Sequence, residues 1–251
     1  MDTRIDYGQD APGLMRGFLA AALAAWIVVL LTWVIGSGLL VGVVIILVGL
    51  AALYLTFMGC FMIYESRIGK VRDRDRILNR LAWRGDEKVP DIGCGRGLML
   101  IGGALRAPKG LAIGIDLWRQ EDQAHNSQDA TLQNAAQAGV ADRVSVQTAD
   151  MQDLPFQAGT FDVILSSWAI HNLPGRTERE RALSDAMRVL RPGGRMALTD
   201  IEGRAEYPHL LQALGAQQVQ VIVLDSLKDR VISALSFGSF APFTVMAQKP
   251  L

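Results

Sequence analysis

Residues 89–97 read Val-Pro-Asp-Ile-Gly-Cys-Gly-Arg-Gly, a short apolar approach to an acid and then three glycines at alternate positions. Gly93, Gly95 and Gly97 suit a backbone that turns sharply and passes close to a ligand, because no Cβ stands in the way. The apolar run Leu98 to Leu105 reads as a helix. Strand, glycine loop and helix together make a nucleotide-type cofactor site. The dinucleotide fingerprint G-x-G-x-x-G is not met, since Leu98 or Leu100 stands where its third glycine should be. About 20 residues after such glycines, an acid ending the next strand is expected to hold ribose hydroxyls. Asp116 stands there, closing Leu-Ala-Ile-Gly-Ile-Asp.

The order D-x-G-x-G-x-G resembles motif I of the class I S-adenosylmethionine-dependent methyltransferases. Three later segments follow that family's order. Arg143–Phe156 is β-rich, ends in the acidic turn at Asp150, and resembles the third strand and adenine loop. Phe161–Leu173 resembles the fourth strand and its loop, and Ala186–Asp200 the helix, Pro-Gly-Gly turn and fifth strand. With Asp116, the resemblance covers roughly residues 86–202. It implies an α/β fold, a Rossmann-like doubly wound seven-stranded sheet with an antiparallel C-terminal hairpin, and S-adenosyl-L-methionine as cofactor. It also implies roles. Asp91 would orient the glycine loop and the methionine amino group, and the glycine backbone would lie along the methionine and ribose portions. Asp116 would take the ribose hydroxyls in a bidentate contact, with Leu117 packed on adenine. Asp150 would accept from the adenine amino group beside the Met151 backbone, and Ser166 would border the site at the end of the fourth strand. Taken singly, each acid also reads as a surface turn residue.

A sulfonium methyl is already activated, so transfer needs an in-line nucleophile, orientation and exclusion of water more than strong acid–base help. Acceptors in the family approach beyond the fourth strand, where enzymes acting on amide or exocyclic amino groups carry Asn/Asp-Pro-Pro-aromatic. Here the chain reads Ser166-Ser-Trp-Ala-Ile-His171-Asn172, which lacks that clamp and argues against adenine or glutamine as substrate. His171 is the candidate base, because an imidazole titrates where a thiol, phenol or amine proton must be taken. A histidine capping the following helix or bonding backbone is the equal alternative. Trp168 reads as an acceptor-pocket wall or a core residue. The polar loop Trp118–Asn126 either folds over the cofactor or is a solvated surface loop, with His125 a weaker second base. Asp200, Glu202, Tyr207 and His209 cluster in sequence after the fifth strand and stay unranked. Three histidines and two cysteines show no metal-ligand spacing, and a Gly-x-Ser-x-Gly elbow is absent.

The rest of the chain divides by composition. The 25 basic and 25 acidic residues balance, so no global field points to nucleic acid. None of these charges lies between Gly17 and Tyr64. Gly17–Ile35 and Leu39–Tyr64 are each long enough to cross a ~30 Å hydrocarbon core, with Gly36-Ser37-Gly38 as the break. A signal peptide does not fit, because a second apolar run follows at once. Arg4 and Arg16 precede the pair and Arg67, Lys70, Arg72, Arg74 and Arg76 follow it, so the positive-inside bias places both ends and the enzyme domain in the cytoplasm. Cys60 in a span and Cys94 in the glycine loop form no disulfide framework. Gly42, Gly49 and Ala20–Ala25 offer small faces for close helix packing, within the chain or in a homodimer.

The expected layout is an N-terminal cytoplasmic segment over 1–16, a transmembrane hairpin over 17–64, a juxtamembrane helical linker over 65–85 and the methyltransferase domain over 86–251. Strands are expected near 88–92, 111–115, 143–148, 161–166, 194–200, 218–224 and 242–248, and helices over 97–106, 128–138, 178–190 and 205–214. Pro90 removes a ladder donor and predicts a locally irregular first strand. The functional expectation is a membrane-anchored methyltransferase acting on a small, lipophilic acceptor. The alternatives are a soluble metabolite with the hairpin as tether, and a cofactor-binding membrane module without catalysis.

Overall fold

The computed structural model describes residues 5–9, 12–119, 123, 125–223, 230, 233–235 and 242–251. Arg4 of the charge argument, residues 120–122 and 124 of the polar loop, and residue 224 of the sixth expected strand lie outside these. Two compact units emerge. One comprises Tyr7 and its N-terminal neighbours, Val71–Arg119 and His125–Leu251, and the other is chiefly Gly8–Lys70.

In the first unit, seven strands make one sheet in the order β3-β2-β1-β4-β5-β7-β6. They are β1 (Lys88–Ile92), β2 (Leu111–Asp116), β3 (Val144–Thr148), β4 (Phe161–Ser167), β5 (Leu190–Asp200), β6 (Gln217–Val223) and β7 (Phe243–Gln248). The first five in that spatial order are parallel, while β7 runs antiparallel to both β5 and β6. Strand order reverses between β1 and β4, so a crevice opens beyond their carboxyl ends. Helices α4 (Leu98–Arg106) and α5 (Gln128–Gln137) share one apolar cluster with β2 and β3, built on Leu100, Ile101, Ala135 and Val144. Helices α6 (Arg176–Val189) and α7 (Glu206–Ala213) cover Ile164, Met196 and Leu198 in another. Ile77 and Leu78 of α3 (Lys70–Leu78) pack with Val89, Val163 and Ala197 in a third. Parallel strands covered on both faces need near-continuous apolar runs. The burial of Val89 through Ile92 and of Val163 through Ser166 is the result.

Pro90 leaves the first strand regular on one side and thin on the other. β1 pairs with β2 over five consecutive residues, Pro90↔Ile113 included, but with β4 at Asp91↔Leu165 alone. Alternate residues of a parallel strand bond to opposite neighbours. Lys88 donates its N–H to the Asp162 carboxylate of β4 at 2.8 Å, so Pro90, two positions on, also turns its missing donor toward β4. The Pro-Gly-Gly segment differs from expectation too. It is an irregularity inside β5 rather than a turn before it. The register runs from Phe161↔Leu190 to Val163↔Arg195, so the chain from Arg191 to Gly194 bulges opposite Asp162. Asp162 fills that gap, pairing with Arg84 and Arg191 at 2.8 Å each.

The second unit holds α1 (Pro12–Ile35) and α2 (Leu39–Tyr64), both long and apolar enough to cross a membrane. α1 begins five positions earlier than the expected Gly17. A five-residue π-helical turn, Glu65–Gly69, carries α2 directly into α3. The helices meet through small residues. Ala22 and Ala52 are buried, and a Cβ on Gly59 would lie 2.5 Å from Leu19 Cδ2. Trp26 Nε1 donates to Thr56 Oγ1 at 3.1 Å, and Thr56 in turn donates to Ala52 O. A Cβ on Gly42 or Gly49 would meet nothing within 4 Å, so those glycines take no part in packing within the pair. Large apolar side chains such as Trp33, Ile35, Leu39 and Leu40 are exposed.

Candidate functional site

The candidate cofactor residues, His171 and Asp200 lie at or just beyond the carboxyl ends of β1 to β5, along one edge of the sheet. At the end of β1, Gly93, Gly95 and Gly97 have φ of 71°, 49° and 86°, all in the left-handed region that favours glycine. A Cβ on Gly93 would stand 2.2 Å from Ala169 Cβ, which puts the glycine loop against the loop that follows β4. The same position would lie 3.5 Å from Met151 Cε, so the loop after β3 closes the third side.

Asp91 is buried, and its Oδ2 accepts the Leu100 N–H at 2.8 Å, tying strand to helix. Its Oδ1 is buried with no hydrogen-bond partner. Burial pushes this carboxyl up to about 8, against the pull of the Leu100 N–H and with a push from Asp116. A buried, orphaned carboxylate oxygen is what a cationic or donating ligand group would satisfy.

Asp116 does more than stand at the end of β2. Its Oδ2 accepts Gly95 N–H at 2.8 Å, and its Oδ1 accepts Trp118 N–H at 2.7 Å and Asn126 Nδ2 at 3.2 Å. A carboxylate has about four acceptor positions, so three internal donors leave room for one more while Asn126 stays. The Asn126 carbonyl oxygen, in the same carboxamide as the nitrogen that donates to Asp116, is buried and unpartnered. It is a second acceptor beside the acid, and sequence reasoning missed it because nothing in a lone Asn marks it. Thr131 Oγ1 donates to Gly95 O at 2.7 Å, a further hold on the loop. Leu117 is exposed at the edge, available to a planar ring. Trp118 takes φ 58° and donates Nε1 to Thr148 Oγ1 at 2.8 Å. The exposed His125 also has positive φ, and Ser127 caps α5 by accepting from Ala130 N–H.

Asp150 accepts the Gln152 N–H at 2.9 Å, an acidic turn at the edge as expected. Ser166 is buried, and its hydroxyl donates to Ile92 O at 2.7 Å, bracing β4 against β1. Trp168 is half-buried with φ 54° and belongs to none of the core clusters, so the core reading does not hold for it.

His171 sits in a 3₁₀ turn, Ile170–Asn172. Its Nδ1 lies 2.5 Å from Asp200 Oδ1, and its N–H donates to Asp200 Oδ2 at 3.1 Å. Capping of α6 falls to Gly175, without a side-chain bond. Asp200 closes β5, is buried, and also accepts Ile201 N–H at 2.8 Å and Tyr207 O–H at 3.0 Å. Two backbone N–H groups, the Tyr207 hydroxyl and the His171 ring thus converge on one carboxyl. In the tautomer that places the proton on Nδ1, toward that carboxyl, Nε2 is the ring nitrogen that accepts. Burial and the adjacent Asp200 push the Tyr207 phenol well up, so it remains a donor. Of the four residues expected after β5, Asp200 and Tyr207 join His171. His209 instead lines a groove of about 530 Å³ with Arg176, Arg179 and Glu206. Glu202 is exposed. Among the described residues no group of three His, Cys, Asp or Glu could hold a metal ion.

Comparisons with known proteins agree with the fold. Residues 90–198 match the family model described as a methyltransferase domain. The chain is 37% identical over 126 residues to 27-O-demethylrifamycin SV methyltransferase of Amycolatopsis mediterranei (strain S699), covering 50% of this chain and 43% of that one. It is 32% identical over 114 residues to the demethylmenaquinone methyltransferase of Symbiobacterium thermophilum, covering 45% and 42%. The chain thus spans less than half the length of these curated relatives. Among solved structures, an S-adenosylmethionine-dependent methyltransferase from Aquifex aeolicus superimposes with a TM-score of 0.53 at 20% identity, covering 71% of this chain and 90% of that one.

Proposed function

Residues 90–198 form a methyltransferase domain of the class I, S-adenosylmethionine-dependent type, and on that premise we propose that the chain methylates a small, lipophilic acceptor at the cytoplasmic face of a membrane. The observation that carries the catalytic half is the contact of His171, two residues beyond the Ala169 that touches the glycine loop, with the buried Asp200. The cofactor, when bound, supplies a methyl group already activated on sulfonium. The chain's own residues do the rest. Asp91, the three glycines, Asp116, Leu117, Asp150, Met151 and Ser166 would hold and orient that cofactor, and the orphaned Asp91 oxygen and the left-handed backbone of the three glycines fit the role. His171 Nε2 would accept the proton leaving the acceptor's O–H, N–H or S–H. Asp200 would keep Nδ1–H in place and stabilise the imidazolium that forms. Tyr207 and two backbone N–H groups hold Asp200 for that task.

The membrane half rests on α1 and α2 and on the path of the chain. Tyr7 belongs to the same unit as Val71–Arg119 and His125–Leu251, so the apolar pair both leaves that unit and returns to it. In a bilayer this is a hairpin with its ends on one side, the side favoured by the basic residues around it. No Pro/Gly/Ser-rich linker stands between α2 and α3, which favours an active site held near the surface. A relative named for demethylmenaquinone fits a lipophilic acceptor. The test is transfer of a labelled methyl group by detergent-purified protein to a whole-cell extract, followed by partition between organic and aqueous phases. Protein-dependent label in the organic phase is the expected result. Label confined to the aqueous phase would leave the hairpin as a tether for an enzyme of soluble metabolites.

A further inference from the structure

The glycine loop gains a restraint from a part of the chain that lies ahead of both apolar helices. Arg96 stands between Gly95 and Gly97, and its Nη2 lies 3.0 Å from Asp6 Oδ2. Asn134, buried on α5, donates its one amide both to Asp6 O at 3.0 Å and to Arg96 O at 2.9 Å. Tyr7 is buried against the cluster of Leu100, Ile101 and Ala135, and its hydroxyl meets Arg74 Nη1 at 3.2 Å. Ile5 packs on the same cluster. The segment is therefore seated by apolar contact, by backbone and by charge at once. Three glycines give the loop wide conformational freedom, and a loop not already held would spend binding energy on ordering. Asp116 and Thr131 hold Gly95 from within the domain. The hold on Arg96 comes through Asp6 and the shared Asn134.

We propose that Ile5–Tyr7 is a positioning strap that keeps the glycine loop in its cofactor-binding form through the Asp6–Arg96 pair and the Asn134 amide. The proposal rests on the loop being the cofactor site. Its consequence is that the cofactor site is tied to the chain entering α1, because Tyr7 stands five positions before Pro12. Asp6 is the exposed partner, 72% against 13% for Arg96, so the ion pair alone is a modest contributor and Tyr7 the larger one.

The experiment uses the full chain in detergent, with S-adenosylhomocysteine as probe and hydrogen exchange read at residues 95–98. Asp6→Asn and Arg96→Gln should each weaken probe binding about two- to five-fold, as expected for a partly exposed pair. The double variant should lose no more than the worse single one, since both remove one contact. Tyr7→Ala should weaken binding further, and all of these variants should exchange faster at the loop. Asp6→Asn alters an exposed side chain and should keep the wild-type melting temperature, so it serves if Tyr7→Ala fails to fold. Unchanged affinity and unchanged loop exchange in Asp6→Asn and Arg96→Gln would overturn the strap, as would additive losses in the double variant. If the wild-type chain takes up no probe, the reading of the site fails, and loop exchange alone decides the strap.

Discussion

A carboxylate that already accepts three protein donors can still be the anchor of a ligand. At Asp116, replacement by alanine removes the hold on Gly95 and the acceptor for ribose together. Hydrogen bonds to a charged group are worth about 1.5–3 kcal/mol, so Asp116→Ala should cut S-adenosylhomocysteine affinity by one to two orders of magnitude in a calorimetric titration. Asp91 makes a prediction about pH. Its carboxyl titrates near 8 when folded and near 3.8 otherwise. Between those values the unfolded chain binds fewer protons, so this group's contribution to stability falls as pH rises from about 4 to about 8. Asp91→Asn should flatten that fall in thermal unfolding across the window. A cationic group bound beside Asp91 would draw its proton off, so cofactor binding at neutral pH should release protons, seen as buffer-dependent binding enthalpy. Asp200→Asn should keep the fold and the cofactor affinity but slow turnover about 10²- to 10⁴-fold. The acids and glycines were legible because their spacing follows the strand ends. The Asp200–His171 contact was not, since 29 residues and a whole helix separate its partners.

At the level of elements, alternation between apolar strands and amphipathic helices carried nearly the whole layout, and observed strand and helix ends fall close to those expected. What escaped was irregularity decided by neighbours. Pro90 reads as a fault in a strand, yet the ladder to β2 is complete, because the absent donor faces β4 and Asp162 supplies the local closure. The Pro-Gly-Gly bulge inside β5 is set by the same gap. Gly93 shows the opposite case, a residue type whose purpose is plain once Ala169 is seen beside it. Gly93→Ala puts a methyl 2.2 Å from Ala169 Cβ at a φ of 71°. It should abolish probe binding and cost about 1–3 kcal/mol in denaturant unfolding. Binding at wild-type affinity would mean that the two loops separate without consequence.

Across the whole molecule, the apolar pair and the α/β unit were separable in the sequence by charge alone, because no Asp, Glu, Lys or Arg falls between Gly17 and Tyr64. The strap was not, since five described residues of mixed character at the N-terminus carry no periodicity to read. With the hairpin across a bilayer, Ser37 at its bend lies on the face opposite Tyr7 and Val71. A Ser37→Cys chain, with Cys60 replaced by serine, should react with an impermeant maleimide in intact cells, and the parent lacking Cys60 should not. Labelling only after lysis would contradict the hairpin orientation.

The central claim is that the glycine loop and Asp116 form a cofactor site to which His171 and Asp200 add acceptor chemistry. Equilibrium titration of the full-length protein with S-adenosylhomocysteine tests it most directly, on wild type, Asp116→Ala and His171→Ala side by side. Saturable binding that Asp116→Ala weakens by about one to two orders of magnitude and His171→Ala keeps is the predicted result. No saturable binding by the wild type, or equal affinity in all three proteins, would contradict it.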